Sequence, residues 1–398
     1  MNLSFSSHAM TDLDNEAAVA ALHTLAREPL ARTSPTLRPD GDQPDTWRAG
    51  LRRAVLADVA GFVAARCAEA FGPSGVDVAS DILMEFVEDG TCQRSTFMYL
   101  GWLCGAPASS AALSAAASLE LLQAFALLQG DVMDDSPFRR GRPAAHLQFA
   151  NWHRERGLPG SARRFGESAA TLLGDLCLIW AEQMLRDSGL DRNVLRRAWP
   201  HYDAMRTELA VGHFADLATD ARDLSTRGLP TVESVLEVAR LKSGNDTVRR
   251  PLEIGAAMAG CDEETLARLG DFGSAVGEAF QLRDDVLGVF GSPVATGKLI
   301  DGDLLERKAT SVVVVAHQLA DASTRRQLSE LMNSDRLDES AVQQWRNLIL
   351  ATGAVHWIEE LINDRVATAR KALDGSRIDD VIMAGLVDMA GASTLLAA

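Results

Sequence analysis

Two acidic clusters carry most of the chemical information in this chain. They are Gly130-Asp131-Val132-Met133-Asp134-Asp135 and, about 150 positions later, Phe280-Gln281-Leu282-Arg283-Asp284-Asp285. Each closes a long, largely apolar stretch with helical periodicity. A carboxylate taken out of water is costly unless something positive compensates it, and hard divalent cations are the usual partners of such oxygens. Two carboxylate sites on two core helices can hold Mg²⁺ between them, and the metal can then grip a diphosphate. Taken alone, the first cluster reads equally well as a solvated helix end. Carboxylates at a helix C-terminus oppose the macrodipole, however, which shifts weight toward metal binding. Asp284 and Asp285 alone are a weak signal, because adjacent acids are common. The surrounding cations make the pair of clusters specific: Arg139 and Arg140 follow the first, Lys242 precedes the second, and Lys298 and Lys308 follow it.

The elements that must position these residues are helices. Only 2 Tyr in 398 residues, frequent Ala and Leu, and few alternating runs favour an all-α protein. Periodicity predicts helices near 47–71, 78–88, 94–104, 110–135, 165–187, 192–221, 231–242, 246–260, 263–289, 308–321, 324–333, 338–351 and 353–374. Breaks between them hold Gly, Pro, Asp or Ser, and Thr231 with Ser234 suits a helix start. In 111–135, Leu119, Leu121, Leu122, Phe125, Leu127 and Leu128 surround the axis, as expected of a helix buried on most sides. At its end Asp131, Asp134 and Asp135 are predicted to share one helical face. Stretch 269–290 repeats the design and ends in Gln281, Asp284 and Asp285. Such helices fit the centre of a bundle with acidic groups pointing into one cavity.

A net charge of −16 argues against a nucleic-acid-binding surface. Cys67, Cys92, Cys104, Cys177 and Cys261 lack metal spacing, and their odd number fits reduced thiols in a cytoplasmic protein. Asp12, Asp14 and Glu16 do not suit a signal peptide, and no uninterrupted apolar run reaches the roughly 18 residues of a spanning helix, so stable membrane insertion is not expected. Residues 1–46, with Pro35, Pro39, Gly41 and Pro44, read as a flexible N-terminal tail before one helical domain over 47–398. His146, His201 and His213 are read as structural.

The chain resembles the trans-isoprenyl diphosphate synthases, the polyprenyl synthetase family, from about residue 50 to about 370. Three pieces carry the resemblance: Asp131-x-x-Asp134-x-Ser136-x-x-Arg139-Arg140-Gly141-x-Pro143, Lys242-Ser243-Gly244, and Phe280-Gln281-x-x-Asp284-Asp285-x-x-Gly288-Val289-Phe290-Gly291 with Thr296-Gly297-Lys298 after it. It looks most like bacterial geranylgeranyl diphosphate synthases. The resemblance implies the isoprenoid-synthase fold, a single all-α domain around a deep central cavity, and a homodimer. It also implies three Mg²⁺ ions bridging the acidic clusters and holding an allylic diphosphate. Asp134 and Asp284 would be direct ligands and Asp285 would act through water. Arg139, Lys242 with Ser243, Lys298 and Lys308 would hold that diphosphate, with Lys242, Lys298 and Gln281 beside the reaction. Arg94, Gln123 and Arg140 would bind the diphosphate of isopentenyl diphosphate. The implied product is a C20 trans-prenyl diphosphate, with C15 the alternative and Phe125 a candidate floor for the growing tail.

Several positions depart from that pattern. The family's first cluster reads Asp-Asp-x-x-Asp, and its first position here is Gly130, which costs roughly 1 kcal/mol against Ala inside a helix and supplies no oxygen. Asp131 or Asp135 is expected to take over, as an i, i+4 acidic pair. The family's Gly-Gly-Lys-x-x-Arg loop is Asp89-Gly90-Thr91-Cys92-Gln93-Arg94, so a diphosphate-binding Lys has become Thr91. The usual Tyr after Lys242 is Asp246, the usual Gln of the middle helix is His213, and the second cluster ends in Gly288. Three readings remain open: a chain-elongating prenyltransferase, a class I terpene synthase that ionises a prenyl diphosphate without isopentenyl diphosphate, and a non-catalytic subunit of a prenyl synthase.

Overall fold

The computed structural model describes residues 37–39, 43–72, 75–220, 229–291, 302–334 and 337–395. The apolar stretch before the first acidic cluster folds as α4 (Ser110–Met133), and that before the second as α10 (Glu263–Phe290). Both starts are capped. The Ser109 hydroxyl accepts from the Ala112 amide at 3.3 Å, and the Asp262 carboxylate accepts from the Thr265 amide at 2.8 Å. Leu119, Leu121, Leu122 and Leu128 of α4 are all buried although they point in different directions, so neighbours surround the helix. By length and composition α4 could also cross a membrane, because its polar residues are few. Here 67% of its most apolar window is buried in the fold.

Around these two lie α1 (Pro44–Phe71), α2 (Val78–Glu88), α3 (Gln93–Leu103), α5 (Ala145–Glu155), α6 (Ala162–Arg186) and α7 (Arg192–Asp220). Next come α8 (Val232–Ala239), a π-helix (Arg240–Arg249) and α9 (Arg250–Ala259). After α10 follow α11 (Gly302–Leu305), α12 (Ser311–Leu319), α13 (Ala322–Met332), α14 (Glu339–Ala351), α15 (Ala354–Ala372) and α16 (Asp380–Thr394). A two-strand antiparallel ribbon, β1 (Phe138–Arg139) with β2 (Arg142–Pro143), is the strand content among the described residues. The fold is all-α, as expected.

Helix α10 runs through two apolar clusters. Its first half, Leu269, Phe272 and Val276, belongs to the cluster that also takes in side chains of α1, α3, α4, α6, α7 and α9. Its second half, Leu282, Val286 and Val289, packs with α12 to α15 around Trp345 and Ile358. Asp284 and Asp285 therefore ride on a helix fixed at both ends.

The predicted start at Thr231 is realised, its hydroxyl accepting from the Ser234 amide at 3.2 Å. Other details differ. Helices α5 and α16 and the ribbon were not anticipated: α5 is polar and hemmed by Gly- and Pro-containing turns, and its buried face includes His146 and His153. The expected break near 243–245 is a continuous π-helix. Before α1, Arg38 pairs with Asp379 at 2.8 Å and Pro39 lies against Gly385. Residues 1–36 and 40–42 of the expected tail lie outside the described residues.

Helices α3 and α9 cross at backbone contact. A Cβ on Gly101 would overlap the Leu252 carbonyl, and one on Gly255 would overlap that of Met98. Because backbone cannot move aside cheaply, Gly255→Ala is expected to destabilise the protein by about 1–3 kcal/mol. A lower denaturant midpoint at unchanged m-value would show this, and an unshifted midpoint would refute the close crossing.

Candidate active site

The acidic ends of α4 and α10, the π-helix and the loop before α12 enclose a cavity of about 470 Å³. Gln123, Ala126, Leu127, Gly130 and Asp134 line it at three- to four-residue spacing, which defines the cavity face of α4. Phe125 is partly buried against the core and is not among the residues that line this cavity. Opposite stand Phe280, Gln281, Asp284 and Asp285 of α10. Lys242, Ser243, Asp246 and Thr247 enter from the π-helix, whose wide turns are rare and frequent at functional sites. Asp303, Glu306, Lys308 and Thr310 complete the rim.

The three aspartates of the first cluster do not share a face. Helix α4 ends at Met133, Asp134 caps it, and Asp135 takes a left-handed conformation (φ 48°) that turns its side chain outward. Asp134 faces the cavity, where its carboxylate accepts from Lys308 Nζ at 2.8 Å. Asp135 is exposed beside Arg163 (3.5 Å) and His146 (3.9 Å). Asp131 is fully buried and accepts from Arg139 Nε at 3.0 Å, with Arg139 Nη2 on the same oxygen. Of the two acids expected to take over from Gly130, Asp131 is held under the ribbon by Arg139 and Asp135 is exposed beside Arg163. Gly130 itself faces open space, with nothing within 4 Å of a Cβ built on it and no left-handed backbone. Neither packing nor conformation demands a glycine there.

Electrostatics separates these acids. Burial pushes the Asp131 carboxyl above its ordinary value, and Arg139 pulls it partly back. Burial would also raise Asp134, but Lys308, with Lys242 and Arg139 behind it, holds it below. Burial works against the Lys308 charge, and Asp134 and Glu306 more than offset it. Asp285 is raised by burial, with Ser311 and Gln281 opposing: it accepts from the Ser311 amide (3.0 Å), the Ser311 hydroxyl (2.6 Å) and Gln281 Nε2 (2.8 Å). Asp285 thus anchors the start of α12 and orients Gln281. Lys242 pairs with Asp216 of α7. Lys298, with Thr296 and Gly297, lies outside the described residues.

At the other end of the cavity, Arg140 (φ 51°) donates to the Phe86 carbonyl at 2.9 Å. Arg94 forms a bidentate pair with Asp246, Nε to Oδ2 at 2.9 Å and Nη2 to Oδ1 at 3.0 Å. Asp246 is 1% exposed, and Arg94 gives its side chain only 14% exposure. Gln123 Oε1, Thr247 Oγ1 and Thr310 Oγ1 are buried in the lining without a hydrogen-bond partner among the described residues.

Sequence reading missed Asp303 and Glu306. A Cβ on Gly288 would overlap the Asp303 carboxylate, so Asp303 fills the space beside Gly288, one turn from Asp284. No spacing rule reveals this, because a separate segment brings Asp303 there. Among the described residues no three acidic, His or Cys side chains converge tightly enough to form a metal cage. The carboxylate oxygens of Asp134 and Asp284 nevertheless suit Mg²⁺, which is bound through one or two carboxylates plus substrate phosphates rather than by an all-protein cage.

Comparison with known proteins agrees with this geometry. A family model described as polyprenyl synthetase matches residues 77–349. The geranylgeranyl diphosphate synthase of Mycobacterium tuberculosis is 32% identical over 272 residues, 67% of this chain and 70% of that protein. The geranylfarnesyl diphosphate synthase of Aeropyrum pernix is 29% identical over 282 residues, 70% of this chain and 80% of that protein. The crystal structure of a geranylgeranyl pyrophosphate synthase from Corynebacterium glutamicum, complexed with isoprenyl diphosphate and magnesium, superposes with a TM-score of 0.81 at 33% identity, covering 86% of this chain and 98% of that one. With its helical frame, its paired acidic helix ends and a family match over most of its length, this chain belongs to the polyprenyl synthetase family.

Proposed function

We propose that the protein is a Mg²⁺-dependent trans-prenyltransferase that joins an allylic prenyl diphosphate to isopentenyl diphosphate and releases a product five carbons longer. The observation that carries this is the meeting, in one cavity, of Asp134 and Asp284 from two core helices with Lys242, Lys308 and Arg139. Asp134 and Asp284 would hold the metal, three ions with the diphosphate as the resemblance implies, and the metal would stabilise the departing diphosphate. Lys242, Lys308 and Arg139 supply fixed positive charge to the same leaving group. Gln281, held by Asp285, faces the reacting carbons. Ala126, Leu127, Val235, Val238 and Phe280 give the prenyl chain an apolar wall and exclude water from the allylic cation. The proton lost after carbon–carbon bond formation goes to the diphosphate, so the scheme requires no side-chain base. The names of the relatives favour C15 to C25 products, with C20 our choice, and a homodimer is expected.

A second reading has a specific observation in its favour. Thr91 and the Arg94–Asp246 pair leave the isopentenyl diphosphate end short of free cations, as a class I terpene synthase would tolerate. Incubation with farnesyl diphosphate and Mg²⁺, with and without isopentenyl diphosphate, separates the two by mass analysis. An elongated diphosphate formed only with both substrates supports the transferase, and hydrocarbon or alcohol from the allylic substrate alone supports the other.

Two substitutions test the metal side. Asp284→Ala is expected to lower turnover at least about a hundredfold with secondary structure intact, and full activity would remove Asp284 from the metal site. Gly130→Asp fits the open space and is expected to strengthen Mn²⁺ or Mg²⁺ binding in the presence of diphosphate by about tenfold. An unaltered metal titration would mean that the missing carboxylate does not limit binding.

A further inference from the structure

The cations lining the cavity differ in how they are held. Lys242 pairs with Asp216, and Lys308 with Asp134 and Glu306, acids that a metal-bound diphosphate can rearrange. Arg94 is different. Its guanidinium is engaged by both oxygens of a carboxylate that is 1% exposed, from a residue 152 positions away in sequence. Both partners line the cavity, and Gln123 and Thr247 beside them keep buried oxygens without partners among the described residues. These neighbours are polar groups that a ligand carrying donors can satisfy. Helix α3 also begins here, at Gln93, with no side chain capping its first amides, and Arg140 lines the same end. The parts of an anion site are thus assembled, and the protein's own carboxylate holds its best-placed cation.

We infer that Asp246 is a built-in competitor for the diphosphate of isopentenyl diphosphate, which binds only by displacing that carboxylate from Arg94. This rests on the prenyl-transfer reading above. A ligand that needs a minor state binds more weakly by the fraction of time that state is populated. If Arg94 is free a tenth of the time or less, the apparent affinity for isopentenyl diphosphate drops at least tenfold. Asp246 therefore sets the working concentration of the second substrate without touching the allylic diphosphate.

The test is equilibrium binding of isopentenyl diphosphate to the full-length protein by calorimetry, without metal or allylic substrate, alongside Asp246→Asn, Asp246→Ser and Asp246→Asn combined with Arg94→Gln. Inorganic pyrophosphate serves as a second probe. Each single substitution at Asp246 is expected to tighten binding at least tenfold, and adding Arg94→Gln is expected to cancel the gain. In turnover, KM for isopentenyl diphosphate should fall while KM for farnesyl diphosphate holds. Should one variant fail to fold, the other carries the test. Unchanged affinity in the folded Asp246 variants, or a gain that survives loss of Arg94, would overturn the inference. Failure of the prenyl-transfer reading looks different: no elongated product from any variant, whatever the binding experiment gives.

Discussion

Charge taken out of water must be answered by opposite charge, and that requirement organises the centre of this protein. Helices α4 and α10 are largely buried and end in carboxylates that face or underlie one cavity. Each described carboxylate of the first cluster has a cationic neighbour: Asp131 with Arg139, Asp134 with Lys308, and Asp135 with Arg163. Breaking one buried member of such a pair costs about 3–5 kcal/mol, more than most surface contacts contribute. The acids of this cluster are therefore answered within the protein, and a diphosphate with its metals can enter by exchanging partners rather than by creating charge.

Much of this was legible in the sequence because it depends on local pattern. Apolar content and period located α4 and α10, and the Asp and Arg spacing identified the family. What escaped depended on where the helical period stops. Asp134 and Asp135 follow the last residue of α4, and a left-handed Asp135 sends adjacent carboxylates in opposite directions. No count of three or four residues can foresee that. The π-helix escaped for a similar reason, because its wider turn does not produce the 3.6-residue rhythm on which helix recognition rests.

Contacts between distant segments were the other blind spot. Thr91, Asp246, Gly130 and Gly288 were visible as departures, but their consequences were not. Asp303 moves into the space beside Gly288, Asp246 closes on Arg94, and Gly130 opens onto nothing. The first two are answered within the cavity by another side chain and the third is not. The chain has thus filled the space beside Gly288 and closed on Arg94 with its own carboxylates, while leaving a plain gap at Gly130.

The π-helix has one more implication. An α-helix advances about 100° per residue, whereas a π-turn takes up an additional residue for the same hydrogen-bonded closure. Arg240–Arg249 therefore acts as a phase shifter between α8 and α9. It brings Lys242, Asp246 and Thr247 to the cavity while α9 keeps Gly255 turned toward α3. Loss of a single residue from this segment would restore α-helical winding and rotate one set of side chains against the other. The pairing of Arg94 with Asp246 and the seating of α3 on α9 could not then both persist. The chemistry of this end of the cavity is thereby tied to the length of the segment as firmly as to its composition.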